Sequence, residues 1–499
     1  MHSSLWLLSL LVVPLVGAGA ALATRRREGA AYVVAVATSV VLVGLTVVVV
    51  VLYRAGASAS TFDFASRHVL AAPFGLAYDV GLDGLSLLMV ALSALVLPLA
   101  LLGARDRRDE APFVAWLLVL TSFTLGAFVS RDLLEFFIFF ELTLVPSYFL
   151  IARWGARQRA RAALTFFVYT FAGSAFLFVG LLYLGVMHQH QAGGDLTFAF
   201  SALRDTAMSH SAAVWLFVAF ALAFAVKSPI FPFHTWSPLA YAEAPTAGSM
   251  ELSALLAKLG SYGLLRFAVG LLPLAMGTVR PWVMTLAVIG IVYGSALACV
   301  TPDLKRLVAY SSLAQMGFIT LGVVSGSPQA VAGAVLLMFN HGVITAGFFL
   351  LIGFVERRRG DSTIRGLTGL QAPAPVLAGL FTVVMMASIG LPGLSGFVSE
   401  FLILIGTFAV HPWWAVVATL GVVLAALYLL WAYQRVFHGR PDEATAGVAD
   451  ASTAERWVMV PVVILVVALG VFPRPALDRI TPSVSQGYTG YTLVHGAVK

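Results

Sequence analysis

The chain has 499 residues, of which 60% are hydrophobic and only 11% charged. A soluble chain of this length needs far more charge to cover its surface, so a bilayer is the solvent of most of this one. The single cysteine, Cys299, excludes a disulfide framework and an iron–sulfur cluster bound by this chain alone. The net charge of +7 sits in short loops, where positive-inside topology explains it without nucleic acid.

Apolar runs long enough to cross a bilayer follow one another with little between them. They predict an all-α integral membrane protein of about fourteen transmembrane helices in one polytopic domain, 1–499. The predicted spans lie near 4–22, 31–53, 81–103, 112–130, 132–152, 162–186, 211–233, 246–271, 281–300, 305–325, 328–355, 375–410, 413–437 and 457–473. The first lacks the basic start of a signal peptide and reads as one crossing among many.

Basic residues cluster after every second span. Arg25, Arg26 and Arg27 follow span one, Arg105, Arg107 and Arg108 span three, and Arg153, Arg157, Arg159 and Arg161 span five. Lys305 and Arg306 follow span nine, Arg357, Arg358 and Arg359 span eleven, and Arg435 and Arg440 span thirteen. The even loops carry only isolated charges such as Arg131 and Arg280. This alternation predicts odd loops in the cytoplasm and both termini outside. Residues 441–455 read as a polar cytoplasmic loop, and those after Phe472 as a short external tail.

Two spans are interrupted. Span seven contains Lys227-Ser228-Pro229-Ile230-Phe231-Pro232, and span twelve, too long for one straight crossing, contains Gly390–Gly396. Five spans separate them, so equivalent helices run oppositely through the membrane. That pattern predicts two inverted five-helix repeats, roughly 112–271 and 281–437, with broken helices 7 and 12. Segments 4–103 and 457–473 are then peripheral. Unwound backbone supplies polar groups at membrane depth, where transporters place ion sites. Prolines that merely kink packed helices explain either break alone, but less readily the matched pair.

The buried charges point the same way. Glu141 lies near the middle of span five, and an ionised carboxylate there costs about 2.5–3.5 kcal/mol unless paired, hydrated or protonated. Lys227 precedes the break of span seven, Lys258 sits within span eight, and Glu400 follows the break of span twelve. Two acids and two bases at similar depth predict a proton relay across the membrane plane, gated by making and breaking a Glu141–Lys227 pair. A static salt bridge accounts equally well for one isolated pair; four such residues, two beside breaks, favour the relay. His234 and His341 are candidate carriers, although a lone histidine in a bundle is more often a satisfied polar residue. Glu251 precedes Lys258 by two turns and either tunes it or stands at a channel mouth. Asp132 and Glu135 open span five on the external side, where a solvated helix N-terminus is the default reading. There is no phosphate loop, metal-ligand cluster or nucleotide fingerprint. The drive must be an ion gradient or a conformational signal from a partner.

At these residues the sequence resembles the antiporter-like family of respiratory complex I, NADH:quinone oxidoreductase, and within it the subunit M branch. The resemblance covers nearly the whole chain. Its markers include Val80-Gly81-Leu82-Asp83-Gly84-Leu85-Ser86, Phe140-Glu141 with Val145-Pro146, and Lys227-Ser228-Pro229 through Phe233-His234-Thr235-Trp236. Ala244-Pro245-Thr246-Ala247-Gly248-Ser249, Asp303-Leu304-Lys305-Arg306-Leu307, Ala309-Tyr310-Ser311-Ser312 and Gly390-Leu391-Pro392-Gly393 complete the set. The subunit M branch is favoured by Glu400, where related L and N subunits usually carry Lys, and by the absence of the long lateral helix of subunit L.

The resemblance implies that Glu141 and Lys227 form the gating pair, Lys258 is the central relay and Glu400 the exit-side group. It also implies that no cofactor is bound by this chain, with NADH, FMN, iron–sulfur clusters and quinone held by partner subunits. The implied neighbours are L- and N-type membrane subunits in a bacterial cytoplasmic membrane. A subunit of a multisubunit Na⁺/H⁺ antiporter or a membrane-bound hydrogenase shares the same motifs and is the alternative. A scaffold with frozen salt bridges is the reading of a different class. The sequence departs from the family where Gln315 replaces a frequent His, and where Leu239 and Tyr241 replace an Asp and a His. Glutamine cannot relay a proton by titrating, so water or His341 must cover that gap.

Overall fold

In lipid each backbone polar group must find its partner within its own segment, and the apolar runs fold accordingly as helices. The computed structural model describes residues 5–54, 62–103, 110–443 and 445–487; Arg105, Arg107 and Arg108 of loop three lie outside the described residues. Among the described residues, thirteen helices are long and apolar enough to cross a membrane. Spans one to six are Leu5–Ala23, Ala30–Leu52, Gly84–Gly103, Glu110–Val129, Leu133–Trp154 and Arg159–Ala192. Spans seven to eleven are His210–Lys227, Thr246–Val269, Pro273–Val300, Leu304–Val324 and Pro328–Arg359. Spans thirteen and fourteen are Pro412–Phe437 and Thr453–Val471. At span twelve stand two shorter helices, Pro375–Ile389 and Ser395–Val410.

Burial sorts these helices. The apolar windows of spans eight and eleven are 100% buried and that of span ten 94%, against 17% for span fourteen. Spans eight, ten and eleven therefore form the protein's interior, and the outer spans turn apolar side chains to lipid. Small residues permit the close packing. A Cβ added at Gly353 of span eleven would press on Thr246, and one at Gly342 would meet Leu92 and the Ala254 carbonyl.

Two elements depart from the expected arrangement, one from its all-α class and one from its tail. Strands β1 (Asp63–Ala71) and β2 (Leu76–Leu82) form an antiparallel hairpin between spans two and three. Its turn closes through Ala72–Phe74 and Gly75, whose φ of 64° suits glycine. Isolated bridges Val80–Ser130 and Asp132–Ala199 tie this region to loops four and six, so loops two, four and six share one membrane face. The second element is a helix, Arg474–Gly487, where the sequence suggested a tail. Ile480 and Val484 are buried and Leu477 packs partly against the core, at i, i+3 and i+7 spacing on one helix face. Ser483 Oγ accepts a hydrogen bond from Gly84 N at 2.9 Å, and Gly84 lies so close to the Arg479 carbonyl that no side chain fits there.

The expectation of a solvated start to span five is corrected. Asp132 and Glu135 are both buried, because the hairpin closes over them. Asp132 Oδ1 caps the helix, accepting from Leu134 N and Glu135 N, and Glu135 Oε2 accepts from Asp79 N at 3.1 Å. The polar stretch 441–455 also does more than connect. Asp450 accepts from Val376 N and Leu377 N at the start of span twelve, and Ser452 with Glu455 forms the capping box of span fourteen.

Candidate functional site

Span seven ends at Lys227, and the chain turns through 228–235 before a new helix, Trp236–Glu243. The carbonyls freed at the helix end find local partners: Trp236 Nε1 donates to Val226 O at 2.8 Å and Ile230 N to Ala225 O at 2.9 Å. Lys227 is thereby held deep in the protein, 1% exposed. Its Nζ donates to Thr143 Oγ1 at 3.0 Å and lies 4.5 Å from the centroid of the Phe140 ring. These contacts leave the ammonium incompletely satisfied, since it carries three donors.

Glu141 stands between Phe140 and Thr143 in sequence, with Lys227 and Ser174 as its polar neighbours. Glu141 and Lys227 come together, but not as a closed ion pair. Lys227 gives its hydrogen bond to Thr143, and Glu141 Oε1 is buried with no hydrogen-bond partner.

Beyond Lys227, Ser228 Oγ lies 3.2 Å from both Ser261 Oγ and Ala257 O, joining the end of span seven to span eight. Gly260 makes this possible, because a Cβ there would strike Ser228. Span eight itself is irregular, with π-helical segments Leu252–Leu256 and Leu264–Val269 around Ala257–Gly263. Such segments recur at functional sites because they expose carbonyls to side chains. Lys258 uses one: its Nζ donates to Ser253 O at 2.6 Å and contacts His341 Nδ1 at 2.5 Å. His341 Nε2 is buried with no partner.

The last group sits under the interruption of span twelve. Gln315 Nε2 donates to Glu400 Oε1 at 2.7 Å, and Gln315 Oε1 is left buried without a partner. Gly390 takes a left-handed φ of 83° directly over Glu400, where a Cβ would stand 2.8 Å from Oε2. Asn340 Nδ2 donates to Ser395 O at 2.8 Å and to Ser399 Oγ at 3.3 Å, which ties span eleven to the second half of span twelve.

The six residues singled out by sequence are therefore unevenly placed. Glu141 and Lys227 are neighbours, Lys258 and His341 touch, and Glu400 is held by Gln315. His234 is buried against Phe231 and Tyr293, its Nδ1 unpartnered, with no bond to the others. Sequence reasoning missed Thr143, Asn340 and the serines 228, 253, 261 and 312. Hydroxyls in apolar helices are too common to single out; only their convergence on the charged groups marks them. It also missed the Arg266–Asp83 ion pair at 2.5 Å on the hairpin side, although Asp83 lies in a quoted motif.

Electrostatics outside the membrane segments follow burial. Burial pushes the Asp132 carboxyl up to about 6, against the pull of the Glu135 and Leu134 amides, with the negative charge of Asp79 adding to the rise. Burial also raises the Asp79 carboxyl, which Arg131 and Arg67 partly offset.

A family described as NADH:quinone oxidoreductase/Mrp antiporter, TM, matches residues 130–426. NADH-quinone oxidoreductase subunit M of Rhodobacter capsulatus is 39% identical over 434 residues, covering 84% of this chain and 83% of that one. Among solved structures, a chain of respiratory complex I from Thermus thermophilus with bound NADH aligns with a TM-score of 0.88 and 32% identity. That alignment covers 97% of this chain and 99% of that one. A chain of the Mrp complex from a Dietzia species aligns with a TM-score of 0.85 at 22% identity over 99% of each chain, a likeness of fold alone.

Proposed function

Because the chain belongs to the NADH:quinone oxidoreductase/Mrp antiporter transmembrane family, we propose that it is the subunit M type of proton-translocating membrane subunit. It would couple quinone reduction elsewhere in the complex to proton movement through its own buried charges. The observation that carries this reading is the succession of three polar groups at membrane depth: Glu141 with Lys227, Lys258 with His341, and Gln315 with Glu400. Each includes a buried polar atom without a partner. An orphaned buried group costs about 1–3 kcal/mol, and several in succession are better explained by hydration and proton exchange than by packing.

The open Glu141–Lys227 arrangement supports a gating role. When Lys227 swings from Thr143 to Glu141, its ammonium gains an opposite charge and holds its proton. When it swings back, the ring and hydroxyl stabilise that charge less, and the proton can leave. Lys258 can then hand a proton to His341 Nδ1 across their direct contact. Between His341 and Glu400 the carrier is water, because Gln315 positions the carboxylate but does not titrate.

Inverted repeats fit the same picture. Span five is capped by Asp132, which bridges to Ala199, and span ten by Asp303, which bridges to Thr363. The next helix is the longest of each half, 34 and 32 residues, and an interrupted one follows. In this reading NADH, flavin, iron–sulfur and quinone chemistry belongs to partner subunits, L- and N-type subunits are the neighbours, and the membrane is the bacterial cytoplasmic one. The Na⁺/H⁺ antiporter reading shares the fold but has less identity behind it.

The test is Glu141→Gln in the assembled complex, reconstituted in vesicles. Protons moved per NADH oxidised should fall severalfold while the complex remains assembled. Pumping at the normal ratio would refute the relay.

A further inference from the structure

One buried charged group has no place in the relay just described. Glu251 is fully buried, and neither carboxylate oxygen has a hydrogen-bond partner. It lies in span eight, five residues after Thr246 and seven before Lys258. At a helical rise of 1.5 Å per residue these are steps of roughly 7 and 10 Å along the axis. Thr246 lines a polar cavity of about 370 Å³ whose walls also include Trp154, Lys305, Glu356 and Arg357. These residues come from the ends of spans five and eleven and the start of span ten, on the face of the arginine-rich odd loops.

Toward the interior, the Lys258 ammonium reaches back along the helix to Ser253 O, two residues from Glu251. Ser253 Oγ is 3.4 Å from Ser312 Oγ, so hydroxyls occupy the interval between the two charged groups. The glutamate thus stands between a polar cavity at the membrane surface and the central lysine.

Packing does not account for it. Ionised, the carboxylate has no counter-charge hydrogen-bonded to it; protonated, its O–H has no acceptor. A leucine or methionine of similar size would fill the space without either cost. What an acid offers there is a group that gains and loses a proton.

We propose that Glu251 is the proton-uptake residue of this chain, loading Lys258 from the cavity lined by Thr246 and Lys305. A hydronium in the cavity gives a proton to a Glu251 oxygen: one of its O–H bonds breaks, water is left, and an O–H bond forms on the carboxyl. That new bond then breaks as the proton passes, by way of the Ser253 and Ser312 hydroxyls or intervening water, to a neutral Lys258 Nζ. Glu251 returns to the carboxylate, and charge balances at each transfer. This rests on the proton-translocating reading given above.

Glu251→Gln and Glu251→Asp in the assembled, reconstituted complex separate the proposal from a packing role. Gln keeps the volume but cannot carry a proton; Asp keeps the acid but leaves a gap. Proton uptake predicts that E251Q drops the protons per NADH to the level of the Glu141→Gln variant, while E251D retains most of the wild-type yield. Normal yield in E251Q, or loss of yield in E251D alone, overturns it. If E251Q fails to assemble, E251D decides: near-wild-type yield supports uptake and a severalfold loss refutes it. A normal yield in E251Q beside a depressed one in Glu141→Gln removes only the uptake role. Normal yields in both remove the translocating function itself.

Discussion

A lysine ammonium in a membrane interior is defined by how well its three donors are satisfied. Lys227 has one hydroxyl and a ring face; Lys258 has a carbonyl and an imidazole. Neither has a hydrogen-bonded carboxylate, so neither is locked in an ion pair. Asp132 is the contrasting case, a buried acid held at the rim by its capping bonds. Its carboxyl in the folded state sits near 6, above the unfolded value of 3.8, so the folded protein binds the extra proton. The stability this brings is complete below about pH 4 and lost as the pH rises through 6. Asparagine caps a helix as well as aspartate but carries no charge. Asp132→Asn should therefore stabilise the complex on the order of 2 kcal/mol at pH 8 and by only about a third of that at pH 4.5. Thermal unfolding midpoints at the two pH values check this, and an equal shift at both would contradict it.

At the scale of elements, helix ends position the buried charges. Span seven stops at Lys227, and Trp236 folds back to satisfy the carbonyl before it. In span twelve, Gly390 turns the backbone at positive φ over Glu400, while Gly393, also at positive φ, faces open space. Alanine at either site incurs the left-handed penalty of about 1–2 kcal/mol. Only at Gly390 would the new methyl group also displace the Glu400 carboxylate. Gly390→Ala should lower the protons moved per NADH severalfold, and Gly393→Ala should leave them near normal with a similar loss of thermal stability. Equal pumping in the two variants would show that the close approach at Gly390 does not matter. The hairpin packs on spans three and five, and the Arg474–Gly487 helix on spans three and eleven, so the two act as clamps on the bundle.

At the scale of the whole molecule, the loops sort onto two faces, and the positive-inside expectation assigns each face a side that labelling can test. Loops two, four and six are bridged to one another on one face. The ends of spans three, five and eleven and the starts of spans eight and ten line a common cavity on the other. With Cys299 replaced by alanine, a cysteine at Asp195 should react with an impermeant maleimide in spheroplasts, and one at Arg161 only in inverted vesicles. The opposite pattern would reverse the assigned orientation. The many apolar spans and the charged residues placed inside them were legible in the sequence, because apolar length and a charge inside an apolar run are local signals. So was Gln315 as a departure, although not its bond to Glu400. The hairpin was hidden by its short, half-polar strands, and the last helix by having few apolar residues and two prolines. Tertiary structure alone decided that Asp132 and Glu135 are buried, that Lys227 rests on Thr143 rather than closing on Glu141, and that Glu251 is left unpartnered. Sequence determines which residues must leave water; which polar atoms then meet depends on helices far apart in the chain packing side by side.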